Sequence, residues 1–412
     1  MTDNAKSPIL SKNVSSSIGL EPPLRFPGFI EPWTMHRLSD FTSRVTRKNK
    51  NNETTLSLTI SSKDGLVDQE TFFNKKVSSK DMTGYYLLKK GEFAYNKSYS
   101  NGYDFGSIKR LNKYEQGALS TLYICFALTK YHSDFIMHYF DTLKWYPQIY
   151  LISAEGARNH GLLNVATQDF FGTEHALPSD VREQQKIADF LSLVDERIEK
   201  QRQLVEVLKR YKRGLFLSLY NNSQKSTFLF EDIYVKAAEG GTPSTTDSSY
   251  YIGGNIPFAK IEDLNSQYLN STNCYITEKG LKSSSAWIVP IDSILFSNGA
   301  TIGSCSINKI PTSTKQGILG IVPKENYSVE FLYFLFTSWI FTKKVKAITT
   351  KGTMDCAYLK DINKITLDIP DMYTQLKIQR IMNFFERGIE KQVKTLNFLI
   401  HQKNGLLQQM FI

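Results

Sequence analysis

Long apolar runs are missing from this chain of 412 residues. The greasiest stretch, Phe331-Leu-Tyr-Phe-Leu-Phe-Thr-Ser-Trp-Ile-Phe341, falls well short of the ~18 residues that a membrane span requires and reads as a buried helix. The opening Met1-Thr-Asp-Asn-Ala-Lys-Ser7 has no apolar signal core, which argues against secretion. Cysteine is scarce as well. Cys125, Cys274, Cys305 and Cys356 are scattered without a Cys-x-x-Cys pair, which fits a reducing cytoplasm and offers no zinc site. Charge of one sign is not concentrated either. The net +10 is distributed as +4 over 1–179 (21 basic against 17 acidic), +2 over 180–222 (9 against 7), +1 over 223–369 (14 against 13) and +3 over 370–412 (6 against 3). That spread is compatible with a nucleic-acid partner but does not demand one. With 41% apolar and 22% charged residues the chain is ordinary globular material, enough for two to four domains at ~100–200 residues each.

Catalytic signatures are also lacking. There is no G-x-x-x-x-G-K-[ST] phosphate loop, no Gly-x-Gly dinucleotide loop, no Glu-x-Lys triplet of the kind used by many Mg²⁺ nucleases, and no Asn/Asp-Pro-Pro-Tyr/Phe element. His132, His138, His160 and His175 have no metal-ligand spacing, and no G-x-S-x-G elbow occurs. Cys305 near Gly303 reads as a buried structural thiol rather than a nucleophile. No catalytic, cofactor-binding or metal-binding residue is predicted.

What the chain does have is itself, twice. Gln184, Lys186, Ile187, Ile198-Glu-Lys-Gln201, Leu208, Lys212 and Gly214-Leu215 recur identically 191 positions on as Gln375, Lys377, Ile378, Ile389-Glu-Lys-Gln392, Leu399, Lys403 and Gly405-Leu406. Upstream, Gly117 answers Gly317, Phe135–Phe140 answers Phe331–Phe336, and the Gly156 loop (Glu155–Leu163) answers the Gly352 loop (Lys351–Leu359). This is a tandem duplication. Each half has a Gly-, Ser-, Asn- and aromatic-rich globular part with short strand-like runs such as Gly91–Tyr95 and Ser293–Ser297, then a helical tail that opens after Pro178 or Pro370. The expected layout is a polar, disordered 1–20, a domain over 21–178, a helix over 179–222, a second domain over 223–369 and a second helix over 370–412.

In the tails, apolar residues step alternately by four and three: Ile187, Leu191, Val194, Ile198, Val205, Leu208, Leu215, Leu219, and Ile378, Met382, Phe385, Ile389, Leu396, Leu399, Leu406, Met410. Both seams are interrupted at matching places, by Gln201 and Lys212 and by Gln392 and Lys403. A 3.5-residue repeat over four heptads predicts a coiled coil whose polar seam residues set register, and the natural partner of each tail is the other. A helix over about 182–219 would run ~57 Å. The predicted fold class is therefore α+β: two pseudo-twofold-related mixed α/β domains joined by two long antiparallel coiled-coil helices. On DNA, such a pair of unlike readers would suit two different half-sites around unread sequence. A coiled-coil scaffold with two protein-interaction domains and no DNA role is the alternative.

Pro23-Leu-Arg-Phe-Pro-Gly-Phe29 with Trp33 and Leu38, the second-half Gly240-Gly-Thr-Pro-Ser244 leading to Gly254-Asn-Ile-Pro-Phe258, and the transitions Pro178…Gln184-Gln-Lys-Ile187 and Pro370…Gln375-Leu-Lys-Ile378 together resemble the specificity subunits of Type I restriction-modification enzymes. The resemblance covers essentially everything after residue 20. It implies that the globular parts are target recognition domains, each reading half of a bipartite site on double-stranded DNA. It further implies that the helices dock two modification (methyltransferase) subunits, and that two restriction (translocase/nuclease) subunits join them. S-adenosylmethionine, ATP and Mg would belong to those partners, the location would be the bacterial cytoplasm, and no membrane would be involved. The first half departs from the second, with Thr42-Ser-Arg-Val-Thr-Arg-Lys-Asn-Lys50 where the second has Gly-Thr-Pro-Ser, so the two domains are of different subtypes.

Such a reader needs phosphate contacts for position and base-edge contacts for sequence. The candidates are polar and basic loop residues: Arg44, Arg47, Lys48 and Lys50; Lys97, Ser98, Tyr99 and Asn101; Arg158, Asn159 and His160 in the first half. In the second they are Thr242, Ser244 and Lys260; Ser297, Asn298, Thr312, Ser313, Thr314, Lys315 and Gln316; Lys351 and Thr353. The Gly156 and Gly352 loops stand out because they hold the same place in both halves. Lys209-Arg-Tyr-Lys-Arg213 could approach phosphate or be a solvated helix face. For the modification subunits, some of the off-seam residues Phe190, Leu193, Leu204, Phe216, Phe384, Phe398 and Leu407 are expected to form the docking surface.

Overall fold

A computed structural model describes residues 20–75, 79, 81–153, 163–299, 301–349 and 356–412. The chain forms two compact units. The first takes the residues up to Gln201 together with Thr395–Ile412, and the second takes Arg202–Lys394. Two helices of 41 and 39 residues, Val181–Asn221 and Met372–Met410, thus each contribute to both units. Every unit owns one globular part, the start of one long helix and the end of the other. The sequence predicts each helix as a segment of its own, over 179–222 and 370–412. No helix among the described residues is long and apolar enough to cross a membrane.

In the first unit, alternation of large apolar residues builds a four-stranded antiparallel sheet in the order Thr42–Arg44, Ile124–Leu128, Phe93–Asn96, Ser107–Arg110. Its buried face is aromatic. Phe93 stacks on Phe126 with centroids 5.3 Å apart, and Tyr95 stacks on Phe170 at 4.8 Å. Two ribbons, Leu58–Ser61 with Gly65–Asp68 and Tyr86–Lys89 with Gln116–Leu119, cover a separate small core around Leu88 and Leu119.

The second unit repeats the plan with one more strand: Tyr234–Glu239, Ile318–Pro323, Ile294–Ser297, Cys305–Asn308, Tyr268–Leu269. Smaller features recur as well. Thr34–Arg37 pairs with Glu174–Leu177, and Ser226–Leu229 pairs with Thr366–Ile369. The Arg37 amide donates to Asp40 (3.0 Å) as the Leu229 amide donates to Asp232 (2.9 Å). One sequence match needs correcting. Gly117 belongs to the Gln116–Leu119 ribbon, and it is Ile124–Leu128 that occupies the place of Ile318–Pro323. Two nearby strands of similar composition are not distinguished by a single glycine.

At each long helix, a glutamine near its start joins the tail to its domain. Gln184 donates to the Pro178 carbonyl (2.8 Å) and accepts from the amide of His132, the residue capping helix Ser133–Asp141. Gln375 does the same with the Pro370 carbonyl (2.9 Å) and the amide of Ser328, which caps helix Val329–Thr337. These bonds account for the recurrence of the proline-to-glutamine transition.

All the seam positions are buried or half-buried. In the first unit Lys403 pairs with Asp195 (2.6 Å), while Leu24, beside Arg25 and its partner Glu183, binds the Gln409 carbonyl. In the second, Lys212 pairs with Glu386, and the Tyr220 hydroxyl reaches the Asp368 carbonyl (2.6 Å). In both units the helix segments therefore run antiparallel, as the seams predict. The same ion pair is made twice, because Lys212 and Asp195 correspond in the repeat to Lys403 and Glu386. Seam lysines thus fix register by taking an acid from the opposite helix.

Two expected docking residues are not surface residues. Phe216 is 3% exposed and Leu407 6%, each inside its unit's core. A 3.6-residue helix drifts ~20° per heptad against a 3.5 repeat, so four heptads rotate the inward stripe by ~80°, close to one residue's step. Near the ends of the helices Phe216 and Leu407 have consequently turned inward, leaving Leu215 and Leu406 half-buried. Phe190 is half-buried against Phe26. Leu193, Leu204, Phe384 and Phe398 are exposed.

Candidate nucleic-acid interface

In the second unit the candidate loops converge at one end of the five-stranded sheet, where Tyr234–Glu239 and Ile294–Ser297 finish and Cys305–Asn308 and Ile318–Pro323 begin. The amide of Gly241 donates to the Thr314 carbonyl (3.1 Å), and Gln316 donates to Thr242 Oγ1 (3.3 Å). Lys315 donates from its backbone to the Ala259 carbonyl beside Lys260, and Gly317 donates to Glu239 (2.8 Å). Glycine is needed at this junction. A Cβ on Gly240 would lie 2.1 Å from the Thr314 carbonyl oxygen, and one on Gly241 would lie 2.4 Å from the Ala286 amide.

Burial divides these candidates. Lys315, Gln316 and Ser244 are exposed, and Thr242 and Lys260 are half-buried. Ser297, Asn298 and Thr314, with Thr312 and Ser313, have no exposed surface, so their side chains cannot meet a duplex. All but Ser297 hold the loops together instead. Asn298 donates to the Ala357 carbonyl (3.0 Å), Thr312 to Ile310, and Ser313 to Pro257. Backbone carbonyls satisfy these donors, whereas Ser297 Oγ and Asn298 Oδ1 are buried without a hydrogen-bond partner among the described residues. Ser285 and Ala286, packed against Gly241, carry no sequence signal of their own; the Gly240-Gly241 pair is the available sign that another segment approaches.

The first unit repeats this end of the sheet. Val45 donates to the Cys125 carbonyl and carries the chain past Arg44, after which Arg47 and Asn49 pair with the Tyr86–Lys89 ribbon. Arg44 and Lys50 are exposed, as are Tyr99 (59%) and Asn101 in the loop between Phe93–Asn96 and Ser107–Arg110. Lys97 and Ser98 are half-buried at the same strand's end, Ser98 donating to Asn96. Arg47 is committed to Glu92 by two contacts of 2.8 and 3.0 Å, and Lys48 to the Gly84 carbonyl (2.8 Å) and the Tyr86 ring. Neither is a ready phosphate ligand. The Leu163 amide bonds the Lys97 carbonyl just as the Ala357 amide bonds the Asn298 carbonyl, both at 2.9 Å. The chain that follows the Gly156 and Gly352 loops therefore returns to the same strand end in both units. Arg158, Asn159, His160, Lys351 and Thr353 lie outside the described residues.

Of the basic run 209–213, Lys212 holds the Glu386 pair and Lys209 pairs with Glu206 (3.0 Å). Cys305 is 5% exposed, and burial pushes its thiol well above the ordinary range. Among the described residues no cluster of His, Cys, Asp and Glu could hold a metal.

Residues 224–397 match the family model described as the Type I restriction modification DNA specificity domain. The MjaIX specificity subunit of Methanocaldococcus jannaschii is 31% identical over 180 residues, 43% of this chain and 41% of that protein. The HindI specificity subunit of Haemophilus influenzae is 29% identical over 160 residues, 38% of this chain and 34% of that protein. The chain thus spans about two-fifths and one-third of these relatives' lengths. Among solved structures, one from work on complex assembly and conformational transition of the type I restriction-modification system shares the fold with a TM-score of 0.54 at 15% identity, over 92% of this chain and 97% of that one. The S subunit from M. genitalium shares it with a TM-score of 0.51 at 16% identity, over 95% and 99%. Residues 224–397 thus resemble the Type I restriction modification DNA specificity domain, and the chain is similar over part of its length to specificity subunits of Type I restriction enzymes.

Proposed function

We propose that the chain is the sequence-reading subunit of a Type I restriction-modification complex in the bacterial cytoplasm, recognising a bipartite, asymmetric site on double-stranded DNA. Each unit reads one half-site with the loops at the end of its sheet. In the first, Arg44, Lys50, Tyr99 and Asn101 face the duplex, joined by Arg158, Asn159 and His160. In the second, Ser244, Lys315 and Gln316 do so, joined by Lys351 and Thr353. Arginine and asparagine suit guanine and adenine edges, while lysine and serine suit phosphates. The chain itself is non-catalytic. Two modification subunits dock on it and methylate adenine with S-adenosylmethionine, and through them two restriction subunits supply ATP- and Mg-dependent translocation and cleavage.

The observation that carries this reading is that one sheet-and-helix plan is built twice in a single chain, with unlike loops gathered at the same place in both copies. Unlike loops on like frames suit half-sites of different sequence. Long-read mapping of methylated adenines in cells with and without the gene tests it. The expected result is a split motif, with defined bases on either side of a run of unspecified ones, that disappears with the gene. A contiguous motif or no change overturns the proposal in favour of a scaffold without a DNA role.

A further inference from the structure

After helices Ser133–Asp141 and Val329–Thr337, a further helix in each unit packs on the same loop of the sheet. In the first unit, helix Tyr146–Ile152 sits on the loop between Phe93–Asn96 and Ser107–Arg110, the Tyr146 hydroxyl donating to the Gly106 carbonyl (2.7 Å). In the second, helix Trp339–Ala347 sits on the loop between Ile294–Ser297 and Cys305–Asn308, where a Cβ on Gly303 would lie 3.2 Å from the Thr342 methyl. The offset that relates Phe135 to Phe331 also relates Tyr146 to Thr342, buried Trp145 to buried Phe341 and buried Ile149 to buried Val345. What the two helices turn outward differs. Just before the Gly156 and Gly352 loops, the first unit has Tyr150 and Leu151, 68% and 74% exposed, where the second has exposed Lys346 and Ala347. The apolar pair is held firmly. The Tyr150 ring meets Phe105 edge-on at 6.0 Å, and Phe105 is braced on Tyr146 at 5.4 Å. Phe105 lies in the same loop as Tyr99 and Asn101, so the pair is continuous with the candidate reading surface.

We propose that Tyr150 and Leu151 form an apolar wedge that presses into one base step of the first half-site and partly unstacks it. This rests on the functional reading above and adds how the first half-site is gripped. The repeat is the first argument. In the second unit Lys343 lies over the Trp339 ring and Lys344 donates to the Thr366 carbonyl, which leaves Lys346 as the outward cation of its helix. A lysine there suits a phosphate, so this edge of the frame is one that meets a duplex, and an apolar pair on the same edge meets base faces instead. Rigidity is the second argument, because a side chain that parts a base stack must keep its place while the stack yields. The first half-site is therefore held in part by a contact that salt does not screen. The step under the wedge is selected by how easily it unstacks, as pyrimidine–purine steps do, with no hydrogen bond to its bases.

The test uses the full chain in complex with its modification subunits, on duplexes carrying the split site with 2-aminopurine scanned through both half-sites. This base analogue brightens when it is unstacked. The variants are Tyr150→Ala, Leu151→Ala, their double and Lys346→Ala; all three positions are exposed, so thermal unfolding followed by circular dichroism should match the unaltered chain. With the unaltered chain, a step in one half-site away from the methylated adenines brightens, and with the double variant it stays dark. Each single variant of the pair weakens binding roughly tenfold, the order of one lost base-stacking contact, with the salt slope unchanged. Lys346→Ala instead lowers that slope by about 1. Probes at the methylated adenines brighten with every variant, since methyltransferases extrude their target base, and report that the complex is engaged. If the double variant keeps both the affinity and the brightened step, the wedge is wrong while the functional reading stands. If it sheds modification subunit in sedimentation velocity, the pair is a protein contact and the proposal is overturned. If the unaltered complex binds no site at all, the reading beneath the proposal fails with it.

Discussion

Glu183 is 1% exposed in the first turn of helix Val181–Asn221, and three donors converge on its carboxylate. They are Arg25 Nε at 2.7 Å, Arg25 Nη2 at 2.9 Å and Trp33 Nε1 at 3.3 Å. This gives the Pro23–Phe29 and Trp33 motif its physical meaning: Arg25 and Trp33 fasten the entry segment to the helix start, while Phe26 packs on Phe190 and lies under Lys186. Replacing Glu183 with Ala leaves a guanidinium that is only 11% exposed with the looser, exposed Glu21 at 3.8 Å as its carboxylate. Breaking a buried pair from one side costs ~3–5 kcal/mol. Arg25 keeps the Glu31 carbonyl at 2.5 Å, which puts the expected loss at the lower end, ~3 kcal/mol. For a unit of this size that corresponds to a fall of ~6–12 °C in Tm. Urea titration with amide exchange read over residues 181–201 isolates the first unit, and residues 202–221 serve as the internal control. Arg25→Met combined with Glu183→Met should recover most of the loss, because apolar side chains replace a buried pair at little net cost. A change below ~1 kcal/mol for Glu183→Ala, or additive losses in the double variant, would refute the argument.

The duplicated seam pair gives a second prediction. Lys212→Glu should destabilise the second unit by ~2 kcal/mol, between the values for exposed and buried pairs, and Glu386→Lys in the same chain should restore it; urea melts of the three variants decide this. A third concerns acid. His175, hydrogen-bonded to Tyr139 (2.8 Å) and Thr173 (2.9 Å), is held neutral by burial with its pKa pushed down to about 3, and burial also lowers His138. The unfolded chain takes up protons below ~6.5 that the folded first unit refuses, so stability present above that pH is lost as pH falls toward 3, by at most ~1.4 kcal/mol per pH unit for His175. The second unit has Leu367 and Leu335 at the places of His175 and Tyr139, and pH-dependent amide exchange should show it spared. Fourth, Lys315→Ala should weaken DNA binding by the complex similarly across sequences and lower the salt slope by ~1, as for loss of one phosphate contact. Unchanged salt dependence in a filter-binding titration would remove Lys315 from the interface.

Adjacency in sequence was enough for much of this architecture. The duplication, the helix spans and the 3.5-residue seams depend on residues three or four apart, and even the interruptions at Lys212 and Lys403 were visible as a matched pair. Their partners were not, since Glu386 and Asp195 reach them only across the antiparallel helix. The seam also misplaced Phe216 and Leu407, because drift of a 3.6-residue helix accumulates over heptads that a local pattern treats as equivalent. Loop chemistry was legible as composition but not as exposure. Asn298 and Thr314 look as available as Lys315 and Gln316 until the buried backbone carbonyls they bind are placed. The linear order of residues thus determined the repeat, the helices and the chemical character of the loops, which are local or periodic properties. Only tertiary structure decided which polar groups face water and which acid answers each lysine, because burial and charge pairing arise between segments far apart along the chain.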